Sequence, residues 1–160
     1  LGPLFNGDDS HLFAEWVTQW VKDLRRSIDY LETRQDVDID KLAYYGMSWG
    51  AKQGAIIPAV EERLGASVLI AGGLRGIGRP EVNQLNYITR VKTPTLMLNG
   101  RYDTIFPYET SIKPMFDLLG TADEYKELKL FESDHIVPMN DLIRETLAWL
   151  DSCFGPVEQK

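Results

Sequence analysis

The sequence predicts an α/β protein, a three-layer sandwich in which helices cover both faces of a mainly parallel sheet. Segments with apolar residues at three- and four-residue spacing alternate with short, continuously apolar segments, which are typical of strands buried on both faces. The chain is 160 residues long and contains no internal repeat. This length suits one substantial core, so we expect residues 1–160 to form a single domain.

The first half of the chain is predicted to begin with loop residues 1–9 and a long helix over residues 10–34. Ser10 is a typical N-terminal cap, and the apolar residues that follow it form one wide stripe. The polar connector QDVDID leads to a short strand, KLAYYG. A second helix is predicted over residues 49–64, with Gly65 at the position where helices commonly end.

The second half alternates further strands with helices. Three apolar segments, ASVLIAGG, TPTLMLNG and YKELKLFE, are predicted to be strands. Residues 74–92 are loop-like, and a helix is predicted around residues 107–119. The closing segment VPMNDLIRETLAWLDSCF is predicted to form an amphipathic helix whose apolar face carries Ile143, Leu147 and Leu150.

Charge and composition argue against several classes of function. A net charge of −7 disfavours a nucleic-acid or anionic-membrane surface, because both require clustered Lys and Arg. No apolar run has the length of a membrane span, so we expect a soluble protein, with the cytoplasm as its expected location. Cys153 is the single cysteine, which excludes an internal disulfide and leaves the redox compartment undetermined.

The sequence predicts no cofactor and no metal site. Its two histidines and one cysteine provide no ligand cluster with suitable spacing. The segment AGGLRGIG follows a strand, but it lacks the order of a dinucleotide fingerprint and the lysine of a phosphate-binding loop.

Three polar residues follow three of the predicted strands. Ser48 comes after KLAYYG, Asp103 after TPTLMLNG and His135 after YKELKLFE. Because ligand sites in open α/β sheets form at the carboxyl ends of the strands, we expect the three side chains to meet there. The order Ser, Asp, His, each beyond such a strand, is that of the α/β-hydrolase triad.

These residue types suit nucleophilic catalysis. A serine hydroxyl attacks poorly until a base such as imidazole takes its proton, and a carboxylate fixes the imidazole tautomer and stabilises the imidazolium. Gly46 and Gly50 bracket Ser48 in a G-x-S-x-G pattern, which we interpret as a sharp turn without room for side chains. Taken alone, Ser48 also fits a packing serine at a helix start, and His135 or Asp103 fits an ordinary turn residue. The combination predicts the triad.

The sequence resembles the C-terminal half of α/β-hydrolases of the dienelactone hydrolase and prolyl oligopeptidase types. The resemblance rests on SIDYLETRQDVDIDKLAYYGMSWGA, TPTLMLNGRYDTIFP and DHIVPMNDLIRETLAWL. It implies Ser48 as the nucleophile, His135 as the base and Asp103 as the acid that orients it. It also implies the backbone amide of Trp49 as one oxyanion donor.

Two positions depart from the pattern of that family. Ala51 stands where a second glycine is frequent, and Asp134 stands where a glycine often precedes the histidine. Asp134 could raise the basicity of His135, but we favour the interpretation that its carboxylate points to water.

The resemblance also implies a gap, because the whole fold has strands before the first one predicted here. The second oxyanion amide comes from the loop after such a strand, and losing one donor costs about a hundred- to a thousand-fold in turnover. LGPLFNGDDS has no initiator methionine and no signal-peptide pattern, so we expect a piece of a longer protein. KLAYYG would then be an unpaired edge, with Trp16 and Trp20 partly exposed. We therefore expect self-association or pairing with the missing N-terminal segment.

The predicted function is a serine hydrolase that transfers the acyl group of an ester to water through an acyl-enzyme on Ser48. Tyr102 and Arg75 are candidate pocket residues; Arg75 either binds an acidic substrate group or remains a solvated loop charge. Two alternatives stay open. One is a peptidase of the prolyl oligopeptidase type, because the same triad cleaves amides, and the other is a non-catalytic hydrolase-fold module or fragment.

Overall fold

The computed structural model of the chain describes residues 10–75 and 78–157, and its centre is a sheet of four parallel strands. The strands lie side by side in their order along the chain. They are β1 (Ala43–Met47), β2 (Ala66–Ile70), β3 (Thr95–Gly100) and β4 (Lys126–Phe131). The parallel sheet predicted from the sequence is confirmed. The loop predicted for residues 1–9 lies outside the described residues.

Four α-helices accompany the sheet in the described part of the chain. They are α1 (His11–Leu31), α2 (Trp49–Gln53), α3 (Lys113–Leu118) and α4 (Met139–Phe154). The predicted cap of α1 is present, because the Ser10 hydroxyl oxygen accepts a hydrogen bond from the Phe13 N–H at 3.1 Å. Within residues 10–75 and 78–157, no helix combines the length and the apolarity that a membrane crossing requires.

Helices cover both faces of the sheet, which produces the three predicted layers. Leu69 on β2 and Met97 on β3 belong to the face on which α2, α3 and part of α1 pack. Val68 on β2 belongs to the opposite face, where Leu142 and Trp149 of α4 pack. β2 and β3 are buried along their whole length, as strands covered on both faces must be.

The second helix is much shorter than its sequence pattern predicts. The helix predicted over residues 49–64 is replaced after α2 by turns and a 3-10 helix (Ile57–Ala59). Pro58 accounts for part of the difference, because a proline has no backbone N–H for the hydrogen bond that would continue an α-helix. Gly65 does not end a helix; its N–H donates to the Leu42 carbonyl at 2.8 Å, directly before β2.

The closing helix buries a different face from the one predicted. Ile143 and Leu147 are 48% and 57% exposed, whereas Leu142, Trp149 and Leu150 pack against the sheet. Leu150 is thus the one predicted residue on the packed face. Because α4 carries apolar residues on more than one side, its periodicity allows two stripes, and only the contact with the sheet selects between them.

β1 forms one edge of the described sheet, and this edge is apolar. Tyr45 and Met47 on β1 are 54% and 45% exposed, and Trp16 of α1 is 40% exposed. The other edge, β4, carries Glu127 and Lys129 with side chains 48% and 33% exposed, and charges on an edge strand discourage pairing with another chain. The two edges therefore differ in chemistry, and only β1 lacks this protection.

Candidate active site

Ser48 lies on a strained turn between β1 and α2. Its φ of 51° and ψ of −104° place a non-glycine residue in a region that L-amino acids rarely adopt. Backbone contacts hold the turn, since the Ser48 N–H donates to the Ile70 carbonyl at 2.8 Å and the Ser48 carbonyl accepts from the Lys52 N–H at 2.9 Å. The turn presents the hydroxyl at the carboxyl end of the sheet.

The two glycines that flank Ser48 have different roles. A Cβ atom on Gly46 would lie 2.6 Å from the carbonyl carbon and oxygen of Gly50, so β1 and α2 approach too closely for a side chain there. A Cβ atom on Gly50 would have the Tyr44 hydroxyl oxygen, at 3.9 Å, as its nearest neighbour. The prediction that both positions exclude side chains is confirmed for Gly46 and wrong for Gly50, because a Cβ atom on Gly50 would make only an ordinary van der Waals contact.

The three side chains predicted to meet form one hydrogen-bonded chain. His135 Nε2 lies 2.9 Å from Ser48 Oγ, and His135 Nδ1 lies 2.7 Å from Asp103 Oδ2. In the tautomer with its proton on Nδ1, the imidazole donates to Asp103 and can accept the serine proton at Nε2. The Asp103 side chain is fully buried and that of His135 is 19% exposed. The Asp103 carboxylate is therefore shielded from water, while the His135 imidazole remains in contact with water.

Backbone amides fix the Asp103 carboxylate. Its Oδ1 accepts from the Ile105 N–H at 2.8 Å and from the Phe106 N–H at 2.9 Å, so Oδ2 remains directed at the imidazole. The Phe106 ring stacks beside His135, with ring centres 6.0 Å apart and planes at 28°. Both members of the Asp103–His135 pair are thus held in place by the fold itself.

A contact that the sequence analysis missed joins the loops after β3 and β4. The Tyr102 N–H donates to the Ser133 carbonyl at 3.0 Å. A Cβ atom on Gly100 would lie 1.7 Å from the Asp134 carbonyl oxygen, so a glycine is what allows the histidine loop to approach β3. The glycine at the end of TPTLMLNG is the signal that could have indicated this contact.

Trp49, the residue whose amide is the candidate oxyanion donor, is anchored by aromatic packing. Its ring meets those of Phe13 and Trp20 edge-on, with ring centres 6.0 and 5.7 Å apart. Contacts of this kind between aromatic rings stabilise a packed arrangement beyond simple burial. They fix the first residue of α2, which directly follows Ser48.

The remaining predicted residues lie around the acid and histidine loops. Tyr102 is 60% exposed, and its hydroxyl donates to Glu132 Oε2 at 2.6 Å. Arg75 is half-buried, and its Nη1 donates to the Ile105 carbonyl at 3.1 Å. Asp134 Oδ1 accepts from the Ile136 N–H at 3.0 Å. Asp134 therefore shapes the turn that carries the histidine, a role that neither sequence interpretation included.

Lys52 on α2 is buried, which the sequence analysis did not predict. Its side chain is only 6% exposed, and its Nζ lies 4.8 Å from the centre of the Trp49 ring. Burial, with the nearby positive charge of Arg75 as a second cause, lowers the pKa of Lys52 to about 8. Nothing in the local sequence marks this lysine as buried, since the neighbours that cover it are distant in the chain.

The other chemistry-bearing residues do not form a second centre. Among the residues that the structure describes, no group of three or more His, Cys, Asp or Glu side chains could hold a metal ion. Cys153 is half-buried in α4, and burial raises the pKa of its thiol. A thiol of this kind is a packing residue rather than a nucleophile.

Comparison with known proteins agrees with this architecture. The model of the dienelactone hydrolase family matches residues 8–145. A cold-adapted esterase from an Arctic intertidal metagenomic library is 20% identical, with a TM-score of 0.73, over 86% of this chain and 59% of its own. The acetyl xylan esterase from Paenibacillus sp. R4 is 16% identical, with a TM-score of 0.68, over 85% of this chain and 52% of its own. No curated protein sequence shows significant similarity.

The parallel sheet and the arrangement at its carboxyl edge are those of the α/β-hydrolase class. The chain belongs to the dienelactone hydrolase family. It spans 52% to 59% of the length of the two esterase structures. The resemblance to that family is confirmed, and the resemblance to the prolyl oligopeptidase type stays a prediction.

Proposed function

We propose that this chain carries the triad of a serine hydrolase that transfers the acyl group of an ester to water. The observation that carries the proposal is the chain of contacts from Ser48 Oγ through the His135 imidazole to Asp103 Oδ2, at 2.9 and 2.7 Å. The family supports hydrolytic chemistry, and the two structural relatives named as esterases support an ester as the substrate class.

In the first half-reaction, His135 Nε2 accepts the hydroxyl proton of Ser48 while Oγ bonds to the carbonyl carbon of the ester. The carbonyl oxygen becomes an oxyanion, and the Trp49 N–H is the donor that we assign to it. The bond to the alcohol oxygen then breaks, and His135 returns its proton to that oxygen. The acyl group stays on Ser48 as an ester.

In the second half-reaction, water takes the place of the alcohol. His135 Nε2 accepts a proton from the water as its oxygen adds to the acyl carbon. Ser48 Oγ leaves and receives the proton, and the carboxylic acid is released. In both halves Asp103 holds the Nδ1–H of His135 and stabilises the imidazolium.

The second oxyanion donor is assigned to a segment that covers the edge of β1. In this fold it comes from a loop after a strand earlier in the chain, and such a strand would pair with β1. The exposed Tyr45 and Met47 on that edge support the assignment. Self-association through the same edge is the alternative, as the apolar surface favours either partner.

Peptide hydrolysis by the same residues is the second candidate activity, and a non-catalytic module is the third. The mechanism above applies equally to an amide, with an amine as the leaving group. The close Ser48–His135 contact disfavours the non-catalytic candidate. Tyr102 and Arg75 remain the proposed pocket residues, since both lie next to the loop that carries Asp103.

The test is covalent labelling with a fluorophosphonate, read as the intact mass of the purified chain. We expect one adduct on the wild type and none on Ser48→Ala. Ser152→Ala, which removes an exposed hydroxyl from α4, is the matched control and should label like the wild type. An unlabelled wild type with a folded circular dichroism spectrum would contradict the proposal. Turnover of p-nitrophenyl acetate and of a peptide p-nitroanilide then separates esterase from peptidase.

A further inference from the structure

Two cations and three amides line a small cavity beside the nucleophile turn. Lys52 and Gln53 of α2 form one part of its wall, and Arg75 and Gln84 from the segment after β2 form another. Asn83 is the third amide, and apolar residues of α1 with Ile56, Gly78 and Val82 form the rest of the wall. The cavity has a volume of about 10 Å³, which is the space of one water-sized group. Lys52 follows Ser48 by about one helical turn, so the cavity lies against the helix that begins at the nucleophile.

The charge of Lys52 is not balanced within the described part of the chain. No described carboxylate pairs with Lys52, and the charge that acts on it is the like charge of Arg75. Burial of one cation beside another is unfavourable unless an anion compensates them. The face of the Trp49 ring, 4.8 Å from Nζ, offsets only part of this cost.

The polar groups around the two cations are hydrogen-bonded, except for one amide oxygen that has no partner in the described part of the chain. The Arg75 N–H donates to Gln84 Oε1 at 3.1 Å, and Gln84 Nε2 donates to the Lys52 carbonyl at 2.9 Å. Gln84 therefore ties α2 to the segment that carries Arg75. Gln53 is 7% exposed, and its Oε1 has no hydrogen-bond partner among the described residues. Buried amides normally find partners, so the Gln53 amide can bind a further polar group at this wall.

We propose that this cavity is an anion site in which Lys52 and Arg75 bind one oxygen of a carboxylate, sulfate or phosphate group. The volume fits one oxygen, and the rest of the group lies at the mouth of the cavity. A half-turn of the Gln53 amide presents its NH₂ group as a third donor. The anionic group is either part of the ester substrate, in which case its use rests on the proposed hydrolase function, or a free ion.

The site is connected to the acid loop. Arg75 Nη1 donates to the Ile105 carbonyl at 3.1 Å, and the N–H of the same Ile105 holds Asp103 Oδ1 at 2.8 Å. An anion bound to Arg75 is therefore linked through Ile105 to the loop whose Asp103 orients the imidazole. This connection distinguishes the cavity from an isolated charged patch on the surface.

The test measures anion binding by thermal unfolding of Ser48→Ala, which does not depend on catalysis. At pH 7, sodium acetate, sulfate and phosphate are titrated at constant ionic strength against sodium chloride. We expect at least one of them to raise Tm saturably, by about 3–6 °C at ten times its dissociation constant. Adding Lys52→Met should abolish the rise. Lys41→Met removes an exposed lysine instead and should leave the rise intact.

Each outcome decides the proposal. A saturable rise in Tm that persists in the Lys52→Met variant overturns the anion site. So does the absence of a rise in Tm with all three anions. Both results hold whatever the labelling of Ser48 shows. Lys52→Arg keeps the charge and should retain part of the rise, which separates loss of the ligand contact from general destabilisation.

A kinetic comparison distinguishes the two sources of the anion. The wild type and Lys52→Met are assayed with p-nitrophenyl butyrate and with mono-p-nitrophenyl succinate, which carries a carboxylate. If the substrate supplies the anion, the wild type should prefer the succinate ester by about tenfold or more in kcat/KM, and the variant should lose that preference. Equal preference in both proteins, together with the saturable rise in Tm, assigns the site to a free ion.

Discussion

His135 Nε2 lies 2.9 Å from Ser48 Oγ, although 87 positions separate the two residues in the chain. The contact exists because β1 and β4 are parallel and their carboxyl ends open on the same side of the sheet. The strained φ of Ser48 and the close approach at Gly100 bring the two side chains within hydrogen-bond distance. The geometry of this site thus depends on backbone positions as much as on the side chains themselves.

Asp103→Asn should leave the fold intact and lower the rate at which the Ser48 hydroxyl attacks an electrophile by about 10³- to 10⁴-fold. The asparagine Oδ1 can still accept from the amides of Ile105 and Phe106, but its NH₂ group faces His135 Nδ1. The imidazole must then carry its proton on Nε2, where it cannot accept the serine proton. Single-turnover labelling with fluorophosphonate measures the effect, with an unchanged Tm as the control. A loss below tenfold would contradict the assigned role of Asp103.

Gly46→Ala and Gly50→Ala form a matched pair that tests the geometry of the turn. The added methyl on Gly46 meets backbone atoms at 2.6 Å, so we expect a loss of about 1–3 kcal/mol in the free energy of unfolding. The methyl on Gly50 meets nothing closer than 3.9 Å, and alanine favours the helix, so stability should be unchanged or rise by about 1 kcal/mol. Urea denaturation measures both. Equal losses of unfolding free energy in the two variants would contradict the different surroundings of Gly46 and Gly50 in this turn.

Lys52 should make stability increase with pH above neutrality. Its pKa is about 8 in the folded chain, against an ordinary value of 10.5. Below pH 8 the folded and unfolded states both carry the proton, and the cost of the buried charge is fully present. Between pH 8 and 10.5 the unfolded state keeps a proton that the folded state has lost, so the free energy of unfolding rises.

The measurement is the difference in unfolding free energy between the wild type and Lys52→Met across that range, in buffer without oxyanions. Subtraction removes the contributions of other groups, such as Tyr44, whose pKa burial raises. The difference should grow with pH in favour of the wild type. A flat difference would mean that Lys52 titrates as an exposed lysine does.

The edge of β1 should make the purified chain self-associate when nothing else covers it. Tyr45→Lys places a charge on that edge and should shift the chain toward a monomer in sedimentation velocity. Leu147→Lys changes an exposed leucine on α4 instead and should leave the association unchanged. A wild type that sediments as a single monomeric species at micromolar concentration would rule out this role for the edge.

The sheet and the positions of the three polar residues could be predicted because their signals are local. Continuous apolar segments indicate strands buried on both faces, and helical segments between them require parallel pairing. Once the sheet is parallel, residues just beyond the strands must share one edge. The expectation that Ser48, Asp103 and His135 come together follows from their positions just after three parallel strands, whereas their catalytic roles stay a proposal.

Other features were decided by tertiary contacts that no local pattern contains. Three features depend on how closely one element approaches another. They are the length of α2, the face that α4 buries, and the space for a side chain at Gly46 and at Gly50. The sequence by itself determined the class of fold and the candidate chemistry, since both follow from periodicity and order. Only the tertiary structure decided that Lys52 is buried beside Arg75, because the electrostatic environment of a side chain is set by neighbours that are remote in sequence.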